Sequence, residues 1–158
     1  MIKIAICEDE AVMCEKLKMA VFSILEKQGE ECRIACYADA AGFLCGPADQ
    51  ELLFLDIQLP GLNGMKTAER LRERGYKGEI VFVTAFPEYM ADAFEVEAAD
   101  YLKKPVERKR LERTLKRVLK RIRAAGEESF YIRSANWCRA IPFGEIYYCE
   151  VINRKIFV

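Results

Sequence analysis

Acidic, hydroxyl and amine side chains stand at the ends of four apolar runs. Glu8 and Asp9 follow Lys3–Cys7, Asp56 follows Leu52–Leu55, Thr84 follows Ile80–Val83, and Lys104 lies just beyond Asp100–Leu102. Carboxylates gathered in one place repel, by about 1 kcal/mol per pair at 4 Å even at the dielectric of water. A hard divalent cation relieves that repulsion, and Mg²⁺ takes one or two carboxylates with waters and a phosphate oxygen. A carboxylate beside such an ion can attack a phosphoryl group and form an aspartyl phosphate. An ammonium and a hydroxyl then suit the phosphoryl oxygens, by charge and by hydrogen bonding. Each residue alone has a plainer role: a helix-start acidic pair, a turn aspartate, a strand-end hydroxyl, a solvated lysine. Their joint placement is what points to phosphoryl chemistry. The chain has no histidine, which excludes imidazole acid–base catalysis, Ser-His and Cys-His pairs, and Cys/His zinc fingers.

The elements that must position these residues follow from periodicity. Short apolar runs predict strands at Lys3–Cys7, Cys32–Tyr37, Leu52–Leu55, Ile80–Val83 and Asp100–Leu102. A helix is expected over Ala11–Lys27, with Val12, Leu17, Val21, Ile24 and Leu25 near helical spacing and Gly29 as its stop. Asp39 is placed to cap a short helix through Leu44. A third helix opens at Gly64 and stops at Gly75, and a weakly helical segment runs from Pro87 to Glu97. A basic helix runs from about Val106 to Arg123, with Leu111, Leu115, Val118, Leu119 and Ile122 on one face. Strands alternating with helices, several of them continuously apolar, specify an α/β domain, a doubly wound five-stranded parallel sheet. In such sheets ligands bind beyond the carboxyl ends of the strands, where the singled-out residues sit.

The 158 residues suit one domain and a fragment of another, and 52% hydrophobic with 32% charged residues is a globular composition. No apolar run approaches the ~20 residues of a membrane span, and the acidic turn at Glu8–Glu10 does not suit a signal peptide, so no membrane association and a cytoplasmic location are expected. The net charge of zero hides a segregation: residues 1–102 sum to −9, residues 103–123 to +9, and residues 124–158 to zero. The basic segment reads first as a solvated helix face, second as a surface for a polyanion or acidic partner. Seven cysteines without a CxxC pattern are expected to be free and buried. Past Gly126 the pattern becomes a short β-rich tail, with strands expected at Phe130–Arg133, Cys138–Ile141, Ile146–Val151 and Lys155–Val158 and turns at Ser134–Asn136 and Asn153.

Glu8-Asp9, the LFLDIQLPGLNG stretch around Asp56, the VTAF stretch with Thr84 and DYLKKPV with Lys104 together resemble a response-regulator receiver domain of bacterial two-component signalling, over residues 1–123. The resemblance implies a flavodoxin-like sheet of order 2-1-3-4-5. It makes Asp56 the phosphoacceptor and Asp9 a metal ligand, with Glu8 acting through water and the Gln58 backbone carbonyl completing a Mg²⁺ site. The family commonly has Asp where this chain has Glu8. Thr84 and Lys104 become phosphoryl contacts and, with Tyr101, switch residues, and the Lys104–Pro105 peptide is expected to be cis. Phosphorylation, adding nearly two negative charges, is expected to rearrange the face built from the fourth helix, fifth strand and fifth helix. That face includes Phe94, Tyr101 and Val106–Arg123, and Glu95, Glu97 and Asp100 of a second subunit suit its charge. The resemblance further implies a sensor histidine kinase as partner and a homodimer through that face. A phosphoacceptor of this kind assists its own phosphorylation and dephosphorylation and is not a turnover enzyme.

VTAFPEYMADAFEVEAADYLKKPV resembles receivers joined to LytTR-type DNA-binding domains, and the tail FYIRSANWCRAIPFGEIYYCEVINRKIFV resembles the opening strands of that domain. Residues 124–158 are therefore expected to be a linker and the first strands of a truncated LytTR-like domain. Regulation of transcription through DNA is expected only with the missing C-terminal part, and Phe130, Tyr131, Trp137, Phe143, Tyr147 and Tyr148 are expected to be core residues. Three alternatives stand beside this reading. One is a receiver-like interaction module that works without phosphorylation. An aspartate-nucleophile phosphohydrolase is disfavoured by Gln58 where an acid–base carboxylate is wanted. An FMN binder on the same architecture is disfavoured by the carboxylates themselves.

Overall fold

The computed structural model describes residues 1–126, 129–133, 138–142, 150–152 and 155–157, with side chains to residue 125 apart from Pro87. The chain divides into two compact units, Met1–Val118 and Leu119–Val158. In the first, β1 (Ile2–Cys7), α1 (Ala11–Lys27), β2 (Cys32–Tyr37), α2 (Ala40–Leu44), β3 (Leu52–Leu55), α3 (Gly64–Glu73), β4 (Glu79–Thr84) and β5 (Asp100–Lys103) follow in order. α4 (Arg108–Gly126) begins in the first unit and ends in the second. All neighbouring strands pair in parallel, in the order β2-β1-β3-β4-β5. The expected doubly wound sheet is therefore present.

Strand periodicity divides the core. Ala5, Cys7, Leu53, Leu55, Ile80, Phe82 and Tyr101 belong to one buried cluster with Phe43, Met65, Ala68 and Leu71 of α2 and α3. The intervening Ile4, Ile6, Leu52, Phe54, Val81, Val83 and Leu102 are also buried and point to the other face, as side chains alternate along a strand. There α1 buries Cys14, Leu17, Val21, Ile24 and Leu25. Leu17 of α1, Val83 of β4 and Leu111 of α4 border one cavity on this side. The helix starts follow local chemistry: the side-chain Oδ1 atoms of Asp39 and Asn63 accept from Gly42 N–H at 2.7 Å and Lys66 N–H at 2.9 Å.

Several sequence expectations shift. Val12 is 65% exposed, and Cys14 takes the buried position one turn away from Leu17. Pro87–Glu97 forms no regular helix but two 3₁₀ turns, Pro87–Met90 and Asp92–Phe94. Its bonds run to the third residue back, as in Phe94 N–H to Ala91 O, and Glu97 closes the segment at φ 52°. The basic helix begins at Arg108, two residues later than expected, and continues to Gly126. Cys7 and Cys14 are buried, but Cys36 is exposed on β2, an edge strand with a neighbour on one side only, and Cys45 is exposed at the end of α2. No helix among the described residues is long and apolar enough to cross a membrane.

In the second unit β6 (Ser129–Arg133) pairs antiparallel with β7 (Cys138–Pro142), and β8 (Glu150–Ile152) with β9 (Lys155–Phe157). The expected turns at Ser134–Asn136 and Asn153, and the start of the third tail strand, lie outside the described residues. So does the packing of the tail aromatics.

Candidate phosphoryl site

The parallel sheet brings the carboxyl ends of β1, β3, β4 and β5 to one edge. Asp56 N–H donates to Cys7 O at 3.0 Å, which sets the end of β3 beside the end of β1. Lys104 N–H donates to Thr84 O at 2.8 Å, which does the same for β5 and β4. Glu8, Asp56 and Thr84 are all buried, at 4%, 6% and 0% exposure, while Asp9 is exposed. One oxygen from each of Glu8, Asp9 and Asp56 lies within 4.8 Å of the others.

Lys104 crosses this acidic cluster. Its Nζ is 2.6 Å from Asp56 Oδ2 and 2.6 Å from Glu8 Oε2. Glu8 thus meets Lys104 directly. Burial raises the Glu8 pKa above its ordinary value, against the Lys104 ammonium, which lowers it, and with the Asp56 charge, which raises it further. Burial alone would lower that of Lys104, but its hydrogen bonds and ion pairs with Asp56 and Glu8 outweigh this and leave it raised. One ammonium serves two buried carboxylates, and Glu8 Oε1 has no hydrogen-bond partner. A buried carboxylate oxygen without a donor is expensive. That orphan and the uncompensated negative charge fit a hard, oxygen-seeking cation such as Mg²⁺.

The loop after β3 is shaped for the site. Gln58 N–H donates to Asp56 Oδ1 at 3.2 Å, and Gly64 N–H donates to Ile57 O at 2.8 Å. A Cβ on Gly64 would run into the backbone of Asp56 and Ile57, so only glycine lets α3 start this close to Asp56. Sequence reasoning used Gly64 only as a helix start. Its signal was the Asn63 cap directly before it.

Thr84 and Tyr101 meet at Phe86. Thr84 Oγ1 accepts from Phe86 N–H at 3.4 Å, and the Tyr101 hydroxyl donates to Phe86 O. Thr84 makes no hydrogen bond with Asp56 among the described residues. Tyr101 is buried, its ring centroid 6.2 Å from that of Phe82. The Lys104–Pro105 peptide is cis. A second feature escaped the sequence reading. Asp100 accepts from Arg110 and Arg117 at 2.6 Å each and from the Thr114 hydroxyl at 2.5 Å. The spacing of 110, 114 and 117 along one helix face was its signal. This clamp ties β5 to α4 and engages both Asp100 carboxylate oxygens within the chain.

Comparison with known proteins decides the family. The model of the response regulator receiver domain matches residues 4–116. This chain belongs to the response regulator receiver family. Relatives include the transcriptional regulatory protein BtsR of Salmonella typhi, 41% identical over 123 residues, covering 75% of this chain and 48% of BtsR. The sensory transduction protein LytT of Bacillus subtilis is 35% identical over 122 residues, covering 76% of this chain and 49% of LytT. The chain spans about half the length of these curated relatives. Among solved receivers, the response regulatory domain of mrkE from Klebsiella pneumoniae superposes with a TM-score of 0.69 at 28% identity, covering 78% of this chain and 99% of that one. The carboxylates, Thr84 and Lys104 thus occupy the carboxyl edge of a receiver sheet, the position expected from the sequence.

Proposed function

We propose that this receiver accepts a phosphoryl group on Asp56 from a sensor histidine kinase or a small phosphodonor, with Mg²⁺ held by Glu8, Asp9, Asp56 and the Gln58 carbonyl. The observation that carries the reading is the Lys104 bridge: a cation held within 2.6 Å of the candidate nucleophile and of a second buried carboxylate. Bound Mg²⁺ supplies charge neutralisation for the incoming phosphoryl oxygens. An Asp56 carboxylate oxygen forms the new bond to phosphorus, the bond from phosphorus to the donor breaks, and its electron pair leaves with the donor. Lys104 then exchanges a carboxylate for a phosphoryl oxygen, and the Thr84 hydroxyl donates to another. Hydrolysis reverses the state: water attacks phosphorus, the bond to Asp56 breaks, and the carboxylate and phosphate are released. The chain so acts as a phosphoacceptor and not as a turnover enzyme.

The output follows from Phe86. Thr84 and Tyr101 hold opposite ends of the same residue. When Thr84 turns to the phosphoryl group, Phe86 N–H loses its acceptor and the following 3₁₀ segment is biased toward a new arrangement. That segment carries Met90 and Phe94, 48% and 79% exposed, which supply an apolar centre for a homodimer through the face formed with β5 and α4. In the full-length form we place a LytTR-type DNA-binding half after the receiver, so that phosphorylation controls transcription in the cytoplasm.

Acetyl phosphate with Mg²⁺ tests the reading. One phosphoryl group per chain, lost on chelation and in Asp56→Asn, is expected, with a larger species on sizing. An unmodified chain that binds Mg²⁺ overturns it and leaves an interaction module that works without phosphorylation.

A further inference from the structure

Two cysteines on neighbouring elements meet on the α1 side of the sheet. Cys36 of β2 pairs in register with Ile6 of β1, and partners in such a pair point to the same face. That is the face α1 covers, and Cys14 is buried on α1. The two thiols lie within hydrogen-bonding reach of each other, and both are free. The other cysteines with described side chains stand apart from this pair. Cys7 belongs to the cluster on the opposite face with Phe43 of α2, and Cys45 closes α2. Cys32 lies four residues from Cys36 on the same strand. At ~3.3 Å per residue that is about 13 Å, against the ~7 Å that a disulfide spans between Cα atoms. A buried cysteine by itself is inert packing. Here one thiol is open to solvent and the other sits against it.

We infer that Cys14 and Cys36 form a peroxide-responsive dithiol, closed to a disulfide by oxidation and reopened by a dithiol reductant. Burial, then the Cys36 thiol beside it, pushes the Cys14 pKa up to about 12, so Cys14 keeps its proton and the oxidant reacts first at Cys36. The Cys36 sulfur attacks one oxygen of hydrogen peroxide, the O–O bond breaks, and water leaves, giving a sulfenic acid at Cys36. The Cys14 sulfur then attacks the Cys36 sulfur, the S–O bond breaks, and the hydroxyl leaves with the Cys14 proton as water. Two thiols and one peroxide become one disulfide and two waters. Proximity offsets the weak nucleophilicity of Cys14 in the second step. The bond also bears on the acidic loop. Glu8 N–H donates to O of Tyr37, the residue after Cys36, at 3.0 Å, and Cys14 N–H donates to Glu10 O at 2.9 Å. A Cys14–Cys36 bond therefore completes a ring around Glu8–Glu10 and restrains the loop that bears Glu8 and Asp9. The inference is independent of Asp56 phosphorylation.

The test uses the full 158-residue chain, unphosphorylated, freed of reductant and treated with hydrogen peroxide. Remaining thiols are blocked with N-ethylmaleimide, and the chain is digested without reduction by trypsin and an Asp-N protease. These cut between Cys7 and Cys14 at Asp9 and between Cys36 and Cys45 at Asp39, so each cysteine is read separately. The expected product is residues 9–16 joined to residues 34–38, about 2 Da lighter than the two peptides together, and lost on treatment with dithiothreitol. Cys36→Ser, at an exposed position, should abolish the link and leave Cys14 a thiol. Cys14→Ala should leave Cys36 as a sulfenic acid that dimedone traps. In the oxidised wild-type chain, hydrogen exchange at Glu8 N–H should slow by at least about fivefold. Cys36 oxidised while Cys14 stays a thiol, either cysteine joined to a different one, or the same link formed equally well in urea overturns the inference. A link that leaves Glu8 N–H exchange unchanged overturns the restraint on the acidic loop.

Discussion

Replacing Lys104 by methionine leaves two buried carboxylates facing each other without a cation. Oxygens of Glu8 and Asp56 lie within 4.8 Å, so at an effective dielectric of about 20 their repulsion is about 3.5 kcal/mol. The folded protein can avoid this by protonating Glu8. From an ordinary value of 4.5, holding that proton at pH 7 costs about 3.4 kcal/mol. The two routes agree, and a loss of about 3 kcal/mol at pH 7 is expected, within the range for breaking a buried pair. The sign with pH follows from proton binding. The folded variant keeps a proton on Glu8 that the unfolded chain releases, so stability falls as pH rises above about 4.5, and the penalty shrinks as pH falls toward 5. Urea unfolding of both proteins at pH 7.5 and 5.5, in chelator, measures it. A loss under 1 kcal/mol at pH 7.5, or one equally large at pH 5.5, would refute the electrostatic reasoning.

Gly64→Ala puts a Cβ into the backbone of Asp56 and Ile57. It should cost about 3 kcal/mol in urea unfolding and slow Asp56 phosphorylation, and a fully active, equally stable variant would contradict the close approach. Asp100→Ala leaves the Thr114 hydroxyl only Arg110 O as acceptor and takes the carboxylate from Arg110 and Arg117. Both arginines are half exposed and can be resolvated, so the expected loss is about 2 kcal/mol, read by the unfolding midpoint. Burial pushes the Cys7 and Cys14 thiols up to about 12, so iodoacetamide at pH 8 should label Cys36 and Cys45 in the folded protein and reach Cys7 and Cys14 only in urea, by peptide mapping. The same raised values predict stability lost as pH climbs from about 9 toward 12, because the unfolded thiols ionise first.

Glu8, Asp56, Thr84 and Lys104 could be found in the sequence because each closes an apolar run, and parallel strands send all such ends to one edge. The sheet was legible for the same reason: buried runs with glycine and proline punctuation have a short list of solutions. What escaped depends on contacts that no local period encodes. Val12 fits the helical spacing as well as Cys14 does, and only the position of β2 decides which is covered. Cys36 lies in an apolar run yet is exposed, because edge and centre strands read alike. The acidic, alanine-rich segment Met90–Ala99 has no apolar stripe to hold a helix, so tertiary bonds such as Arg72 Nε to Val96 O at 2.9 Å fix it. The meeting of Thr84 and Tyr101 at Phe86 runs through backbone groups, which carry no sequence signature.

Reductive trapping tests the central claim most directly. The chain is incubated with Mg²⁺ and acetyl phosphate, reduced with borohydride, and mapped by mass spectrometry. An aspartyl phosphate is reduced to homoserine, and the account predicts homoserine at position 56 alone, absent without the phosphodonor. Homoserine at Glu8's neighbour Asp9, at any other aspartate, or nowhere while Mg²⁺ is bound would contradict it.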